Sequence, residues 1–330
     1  MSESPTTQPD AMAPRLVRHE NNPVSDHFLT HARLHNLAMA DGTLLRTAYW
    51  SAADSCKPSR GTVLLLAGFS EFIEKYYETA SDLHALGFAV LAFDWRGQGL
   101  SSRAQKDRRG WVQNYSLMMS DVLEVAAYSR DIEVPTPLLA LGHSMGGNVC
   151  LRLLQNKPEL FKAAAVTAPM LGIKGMPTWF LAGVTQTGSR VGLDQRYTPG
   201  AKDNDPFGPH IPLCHDQQRI DIWRSYLRKE PLLITHGATW RWAREAATSM
   251  REANKPSNIA RIKTPVLIAN ALQDSLVDPV PTQKFAALCR TAKLLELPTS
   301  QHEVMQETDT IRKRFFAAFD AFMCEHASVL

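Results

Sequence analysis

The sequence predicts an α/β architecture: a mostly parallel sheet with helices over both faces. Short uninterrupted apolar runs recur along the chain, and each is followed by a stretch of helical spacing. The alternation breaks once, over residues 171–261, and then resumes. With 330 residues, 44% of them hydrophobic, the chain can bury one large core and still carry an inserted subdomain.

In chain order, residues 35–40 and 43–50 flank Asp41-Gly42, a hairpin signal, because a tight two-residue turn demands the positive φ that Asp-Gly tolerates. GTVLLLAG (61–68) reads as a buried strand ending on glycine. A helical stretch with Leu83 and Leu86 stops at Gly87, and FAVLAFD (88–94) is a second buried strand. Residues 116–130 have helical spacing through Leu117, Val122, Val125 and Ala126, and PLLALGH (137–143) is a third strand. A helix over 145–156 leads to a fourth, AAAVTAPM (163–170).

After Pro169 the texture changes. Residues 171–261 hold Trp179, Trp223, Trp240 and Trp242 with helical pieces and no convincing strand, so they are expected to form a helical lid. The sheet pattern returns at TPVLIANA (264–271), a helix near 281–290, strand AKLLELP (292–298) and a long helix over 306–325. The expected division is a core of 27–170 and 262–330, the lid, and a polar, Pro-rich disordered tail over 1–26.

Composition narrows the function. A net charge of +3 with 21% charged residues lacks the basic clusters of a nucleic-acid binder, so no nucleic-acid partner is expected. Five cysteines (56, 150, 214, 289, 324) without a C-x-x-C pair suggest a reduced, cytoplasmic protein without a disulfide framework. Cys150 and Cys324 read as small core hydrophobes. No apolar secretory segment opens the chain, and no window approaches the 18 apolar residues of a membrane span.

The chemistry centres on Gly142-His143-Ser144-Met145-Gly146, a G-x-S-x-G pentapeptide at the end of an apolar strand and the start of a helix. That setting is what the motif needs, since the serine must occupy a strained turn that projects its Oγ above the sheet, and side chains at 142 or 146 would crowd it. It points to an α/β-hydrolase fold with Ser144 as nucleophile. A serine hydroxyl needs a base, and the base an orienting acid, in the chain order Ser, acid, His. His302 follows strand 292–298 and is the candidate base. Asp274 and Asp278 both follow strand 264–271; Asp274 comes first and is favoured, while Asp278, before Pro279, suits a helix N-cap.

Acyl transfer also needs donors for a developing oxyanion. Met145 N–H at the helix start is one candidate, and Phe69 N–H in Ala67-Gly68-Phe69-Ser70-Glu71 the other, with a purely structural turn at 68–70 as the alternative. Gly68, which lets the backbone approach, and His143 are expected to border the substrate. His27, His31 and His35 are spaced by four but lack carboxylate or cysteine company, H-E-x-x-H is absent, and Gly97-Gln98-Gly99 is only a fragment of a dinucleotide fingerprint. No metal or organic cofactor is expected.

Three stretches together carry a family likeness: Gly68-Phe69-Ser70-Glu71-Phe72 through Lys75-Tyr76, Asp94-Trp95-Arg96-Gly97-Gln98-Gly99-Leu100-Ser101, and Gly142-His143-Ser144-Met145-Gly146-Gly147. With Asp274 and Ser300-Gln301-His302-Glu303, they make residues 30–325 resemble the monoacylglycerol lipase and bacterial lysophospholipase branch of the α/β-hydrolases. Leu213-Cys214-His215-Asp216 to Arg219 and Thr239-Trp240-Arg241-Trp242 look closer to the lysophospholipases. Ala67 and Phe72 stand where monoglyceride lipases usually have histidines, which weakens transfer of glyceride specificity but not of the triad. The resemblance implies hydrolysis of single-chain lipid esters, with peripheral membrane contact through the lid. The fold also hosts carbon–carbon hydrolysis and haloperoxidase chemistry, and a non-catalytic binding protein is the third class.

Overall fold

The computed structural model describes residues 13–18, 28–52, 59–205, 208 and 213–327. Among these, eight strands form one sheet: β1 (Arg33–Ala38), β2 (Leu44–Trp50), β3 (Thr62–Leu66), β4 (Ala89–Phe93), β5 (Leu138–His143), β6 (Ala164–Thr167), β7 (Val266–Ala271) and β8 (Ala292–Leu297). Their order is β1-β2-β4-β3-β5-β6-β7-β8. β1, β2 and β4 pair antiparallel, and from β4 through β8 every pairing is parallel. The predicted turn closes the β1–β2 hairpin: Gly42 has φ +80°, and Asp41 Oδ1 accepts from Thr43 N–H at 3.0 Å.

The continuous apolar runs have the physical cause the sequence suggested. β3 and β4 are buried at every residue, as are β6 and β7, so no polar alternation survives in them. From β3 the chain steps to β4 on one side, then crosses to β5 on the other. Strand order therefore reverses between β3 and β5, and the crevice at their carboxyl ends is where an open α/β sheet takes its ligand. The loops after β3, β5, β7 and β8 meet along that edge.

Core helices are α1 (Tyr77–Ala85), α2 (Tyr115–Asp131), α3 (Ser144–Asn156) and, after the insertion, α8 (Pro279–Leu288) and α9 (Asp309–His326). Between β6 and β7 lie α4 (Thr178–Arg190), α5 (Gln217–Lys229), α6 (Trp240–Ala253) and α7 (Pro256–Ile259), with no strand of the sheet among the described residues there. Asp216 and Thr239 start α5 and α6 by accepting from Arg219 N–H and Trp242 N–H. α4 packs so closely on α6 that a Cβ at Gly188 would meet the Trp240 ring at 2.3 Å. α6 is fastened to α3, where Ser249 Oγ donates to Asn148 Oδ1 at 2.5 Å and Gln155 Nε2 to Ala253 O at 2.7 Å.

Most of the stretch expected to be a tail lies outside the described residues. Residues 13–18 lie against the core, with Val17 buried, its N–H donated to Glu74 Oε1 at 2.9 Å, and Arg15 O accepting from Arg46. Cys150 is buried as expected, but Cys324 is exposed: α9 turns its Phe315, Phe319 and Phe322 face to the core and leaves Cys324 off it. Cys56 and His27 lie outside the described residues. No described helix is long and apolar enough to cross a membrane.

Candidate active site

Ser144 stands where β5 ends and α3 begins, with φ at +49°. A non-glycine residue there costs about 1–3 kcal/mol, so the surroundings must enforce it. The flanking glycines show how. A Cβ at Gly146 would lie 2.1 Å from Leu66 O, and one at Gly142 would lie 2.9 Å from Gly146 O. Hydrogen at 146 lets the turn pass this close to the end of β3, and hydrogen at 142 lets the elbow fold back on its own strand. Met170 N–H then anchors Ser144 O at 2.9 Å.

After β7 the two candidate acids part company. Asp274 Oδ2 accepts from His302 Nδ1 at 2.6 Å, while its Oδ1 accepts from the N–H groups of Leu276 (2.7 Å) and Val277 (2.8 Å). Asp278 points away and caps α8 through Val280 N–H at 3.0 Å. Both Asp274 and His302 are buried, which excludes competing water. Because Nδ1 serves the carboxylate, Nε2 is the nitrogen open to the elbow. The His302 ring stands 4.8 Å from that of His143, the neighbour of Ser144. Ser144 Oγ makes no hydrogen bond among the described residues; serine–base contacts in unliganded sites are commonly long and tighten with substrate.

The loop after β3 is held at every residue but one. Ala67 O accepts from Trp95 Nε1 at 2.8 Å, Gly68 N–H donates to Glu71 Oε2, and Ser70, at φ +65°, donates its N–H to Gln98 Oε1 at 2.5 Å. Ser70 Oγ donates to Thr235 O in the insertion at 2.8 Å. Among the described residues neither Phe69 N–H nor Met145 N–H has an acceptor. Two backbone donors are therefore left without an acceptor, one beside Ser144 in the elbow and one in the loop after β3, and an oxyanion hole needs such free donors. The Phe69 ring packs on Trp242 at 4.2 Å between centroids, and Met145 is fully buried with its sulfur 4.0 Å from Gln98 Nε2.

Gly68 lies against the His143 ring, where a Cβ would meet His143 Cδ2 at 3.1 Å. His143 Nδ1 lies 3.0 Å from Thr167 Oγ1, and Nε2 lies 3.9 Å from Glu71 Oε1. Burial, aided by His302 and Lys75, pushes His143 down to about 3 against the pull of Glu71, so the ring is neutral. Glu71, Lys75, Tyr76, His143 and Glu303 surround a cavity of about 10 Å³, water-sized at most. Burial works against the Glu71 charge, yet Lys75 and its other partners hold the carboxyl at about 2. Trp95 and Gln98 were not singled out as site residues from the sequence. Their signal is the Asp94–Ser101 stretch of the family likeness, whose Asp94 accepts from Ile73 N–H and Leu100 N–H. Among the described residues no group of three or more His, Cys, Asp or Glu could hold a metal.

The family model described as serine aminopeptidase, S33, matches residues 57–309. Lysophospholipase L2 of Escherichia coli K12 is 30% identical over 284 residues, covering 81% of each chain. The monoglyceride lipase of Saccharomyces cerevisiae is 23% identical, covering 87% of this chain and 92% of its own. A crystal structure of a soluble variant of that yeast lipase, in complex with a substrate analog, matches the fold with a TM-score of 0.69 at 20% identity, covering 90% of this chain and 96% of its own. A carboxyl esterase from Bacillus coagulans matches with a TM-score of 0.71 at 16% identity, covering 90% and 99%. The chain belongs to the S33 family of α/β-hydrolases, on the branch of carboxylic ester hydrolases that includes lysophospholipase L2 and the monoglyceride lipases.

Proposed function

We propose that the protein hydrolyses carboxylic esters of single-chain lipids, lysophospholipids foremost, through an acyl-enzyme on Ser144. The observation that carries this reading is the buried Asp274–His302 pair, with a serine held at positive φ next to His143 and the Phe69 and Met145 N–H groups left without acceptors. His302 Nε2 takes the Ser144 proton as Oγ attacks the ester carbonyl. Phe69 N–H and Met145 N–H stabilise the oxyanion, and Asp274 holds the imidazolium. Collapse of the intermediate expels the alcohol, protonated from His302 Nε2. Water, deprotonated by the same nitrogen, then releases the fatty acid and restores Ser144.

The insertion supports a lipid substrate met at a surface. Of nine exposed large hydrophobics among the described residues, five fall within residues 176–191: Met176, Trp179, Phe180, Val184 and Val191. Exposed Leu276 adjoins them, because Ile173 bridges both Met176 and Val277. The insertion 171–261 carries thirteen Lys and Arg against eight Asp and Glu, a net +5, whereas the rest of the chain nets −2. An apolar patch on a cationic segment suits peripheral contact with an anionic leaflet, such as the cytoplasmic face of a membrane.

A fluorophosphonate probe and a substrate panel test the reading. Wild type should label while Ser144→Ala does not, and fatty acid should be released from lysophosphatidylcholine and lysophosphatidylethanolamine faster than from monoacylglycerols. Equal labelling of Ser144→Ala would displace the nucleophile. Release from short p-nitrophenyl esters alone would reduce the protein to a general carboxylesterase, and preference for monoacylglycerol would move it to the lipases despite Ala67 and Phe72.

A further inference from the structure

Glu71, Lys75 and Glu303 form a buried chain of charge outside the acid–base pair and the oxyanion donors. Lys75 Nζ lies 2.7 Å from Glu71 Oε1 and 2.7 Å from Glu303 Oε2, and all three side chains are at most 7% exposed. The chain ends on two loops of the site. At one end the second Glu71 oxygen accepts from Gly68 N–H, just before Phe69, and from the Tyr76 hydroxyl. At the other end Glu303 adjoins His302, and its N–H donates to Leu213 O at 2.9 Å. Gln306 Nε2 adds a tie to Lys75 O at 3.0 Å.

Stability alone accounts poorly for such a cluster. Desolvating three charges is costly, and neutral side chains of equal volume often serve a fold as well or better. Topology supplies a better reason. The Gly68–Glu71 loop follows β3 and the His302 loop follows β8, and β5, β6 and β7 stand between these strands. No strand pairing sets one loop against the other. The oxyanion donor and the base must nevertheless act in the same addition step, one on the carbonyl oxygen and the other on the attacking serine hydroxyl.

We propose that Glu71, Lys75 and Glu303 act as a positioning strut that fixes Phe69 N–H relative to His302 across the intervening strands. The strut rests on the reading of Ser144 as nucleophile and His302 as base. It touches no reacting atom, so its loss should lower turnover without loosening substrate binding. A displacement of the order of 1 Å at a reacting group costs about 100-fold in rate.

The test compares wild type with Glu71→Gln/Lys75→Met/Glu303→Gln, which removes all three charges at nearly constant volume, and with Glu303→Gln, which leaves the Glu71–Lys75 pair intact. On a soluble p-nitrophenyl ester, the triple variant should keep its KM and a melting temperature within about 5 °C of wild type, while kcat falls about 10- to 100-fold. Glu303→Gln should lose about tenfold in kcat at unchanged KM, and Lys75→Arg should retain most of the wild-type kcat, since the bridging cation survives. Affinity for a boronic acid that mimics the tetrahedral intermediate should fall in step with kcat. A folded triple variant or a folded Glu303→Gln with kcat within about twofold of wild type overturns the strut; the single variant decides if the triple one does not fold. A wild type that neither hydrolyses the ester nor labels with fluorophosphonate overturns instead the reading on which the strut rests.

Discussion

Asp274, His302, Glu71 and Lys75 at the carboxyl edge of the sheet are almost sealed from water, and each is joined to a partner within 2.7 Å. On α4, by contrast, Trp179 is 75% exposed and Phe180 48% exposed, in a helix that touches the rest of the protein chiefly through α6. The sheet edge holds charge where charge is costly; α4 leaves apolar surface where water meets it. Leaving a large apolar side chain in water forgoes about 1.5–3 kcal/mol of burial. Each arrangement runs against the default of soluble folding, and in opposite senses. The first suits groups that must hold their geometry during a reaction, the second a surface that the proposed contact with lipid would complete.

Substitutions at the two places should therefore separate by substrate. The widest gap lies within the sheet edge itself. Asp274→Asn should lower kcat about 10⁴-fold on every ester, because the amide no longer holds His302 in the working tautomer. Asp278→Ala, four residues on, should leave kcat within about threefold and cost about 1 kcal/mol of stability as a lost helix cap. Comparable losses of kcat for the two would erase the distinction drawn from their partners.

Next in size is a pH effect confined to the buried edge. His143 titrates at about 3 in the folded protein against an ordinary 6.5, so below pH 6.5 the unfolded chain takes up a proton that the folded one refuses. The stability from the neutral ring is full above 6.5 and is lost as pH falls from 6.5 toward 3. The loss is about 1.4 kcal/mol per pH unit, or about 2–3 kcal/mol by pH 4.5. Urea unfolding of His143→Asn over pH 7 to 4.5 should show a slope shallower by about one proton. An unchanged slope would mean that His143 is not held neutral.

The smallest expected effect belongs to the surface. Trp179→Ser/Phe180→Ser should reduce hydrolysis of lysophospholipid in anionic vesicles about tenfold, about 1.4 kcal/mol, as for side chains only partly withdrawn from water at the interface. Hydrolysis of a soluble p-nitrophenyl ester should stay as it was. An equal loss on both substrates would put these side chains in the acyl pocket and collapse the comparison from the other side.

Periodicity made much of the fold legible. The eight strands fall within or beside their predicted stretches: β3, β4 and β6 because strands buried on both faces are apolar throughout, and β1 and β2 because the Asp41-Gly42 turn marks their hairpin. Ser144, Asp274 and His302 were likewise readable as candidates, since an elbow between strand and helix and loops after later strands are written in order along the chain. The face of a helix is harder to read near its end: Cys324 looked like core, and one step around α9 put it in solvent. Val17 and Arg15 carried no periodic signal; Val17 is held by core packing and by Glu74, and Arg15 by Arg46 and Glu230, all far along the chain.

By itself the sequence determined the alternation of strands and helices, the elbow at Ser144 and the order of the candidate nucleophile, acid and base, because each is read from a residue and its immediate neighbours along the chain. Tertiary structure alone decided that Asp274, not Asp278, meets His302, that Gln98 and Trp95 hold the loop around Phe69, and that Lys75 joins Glu71 to Glu303. Those contacts join residues up to 232 positions apart, Glu71 to Glu303 through Lys75. Nothing in the neighbourhood of a glutamate along the chain says which distant ammonium will neutralise it; strand order does, by bringing separate loops to one edge of the sheet.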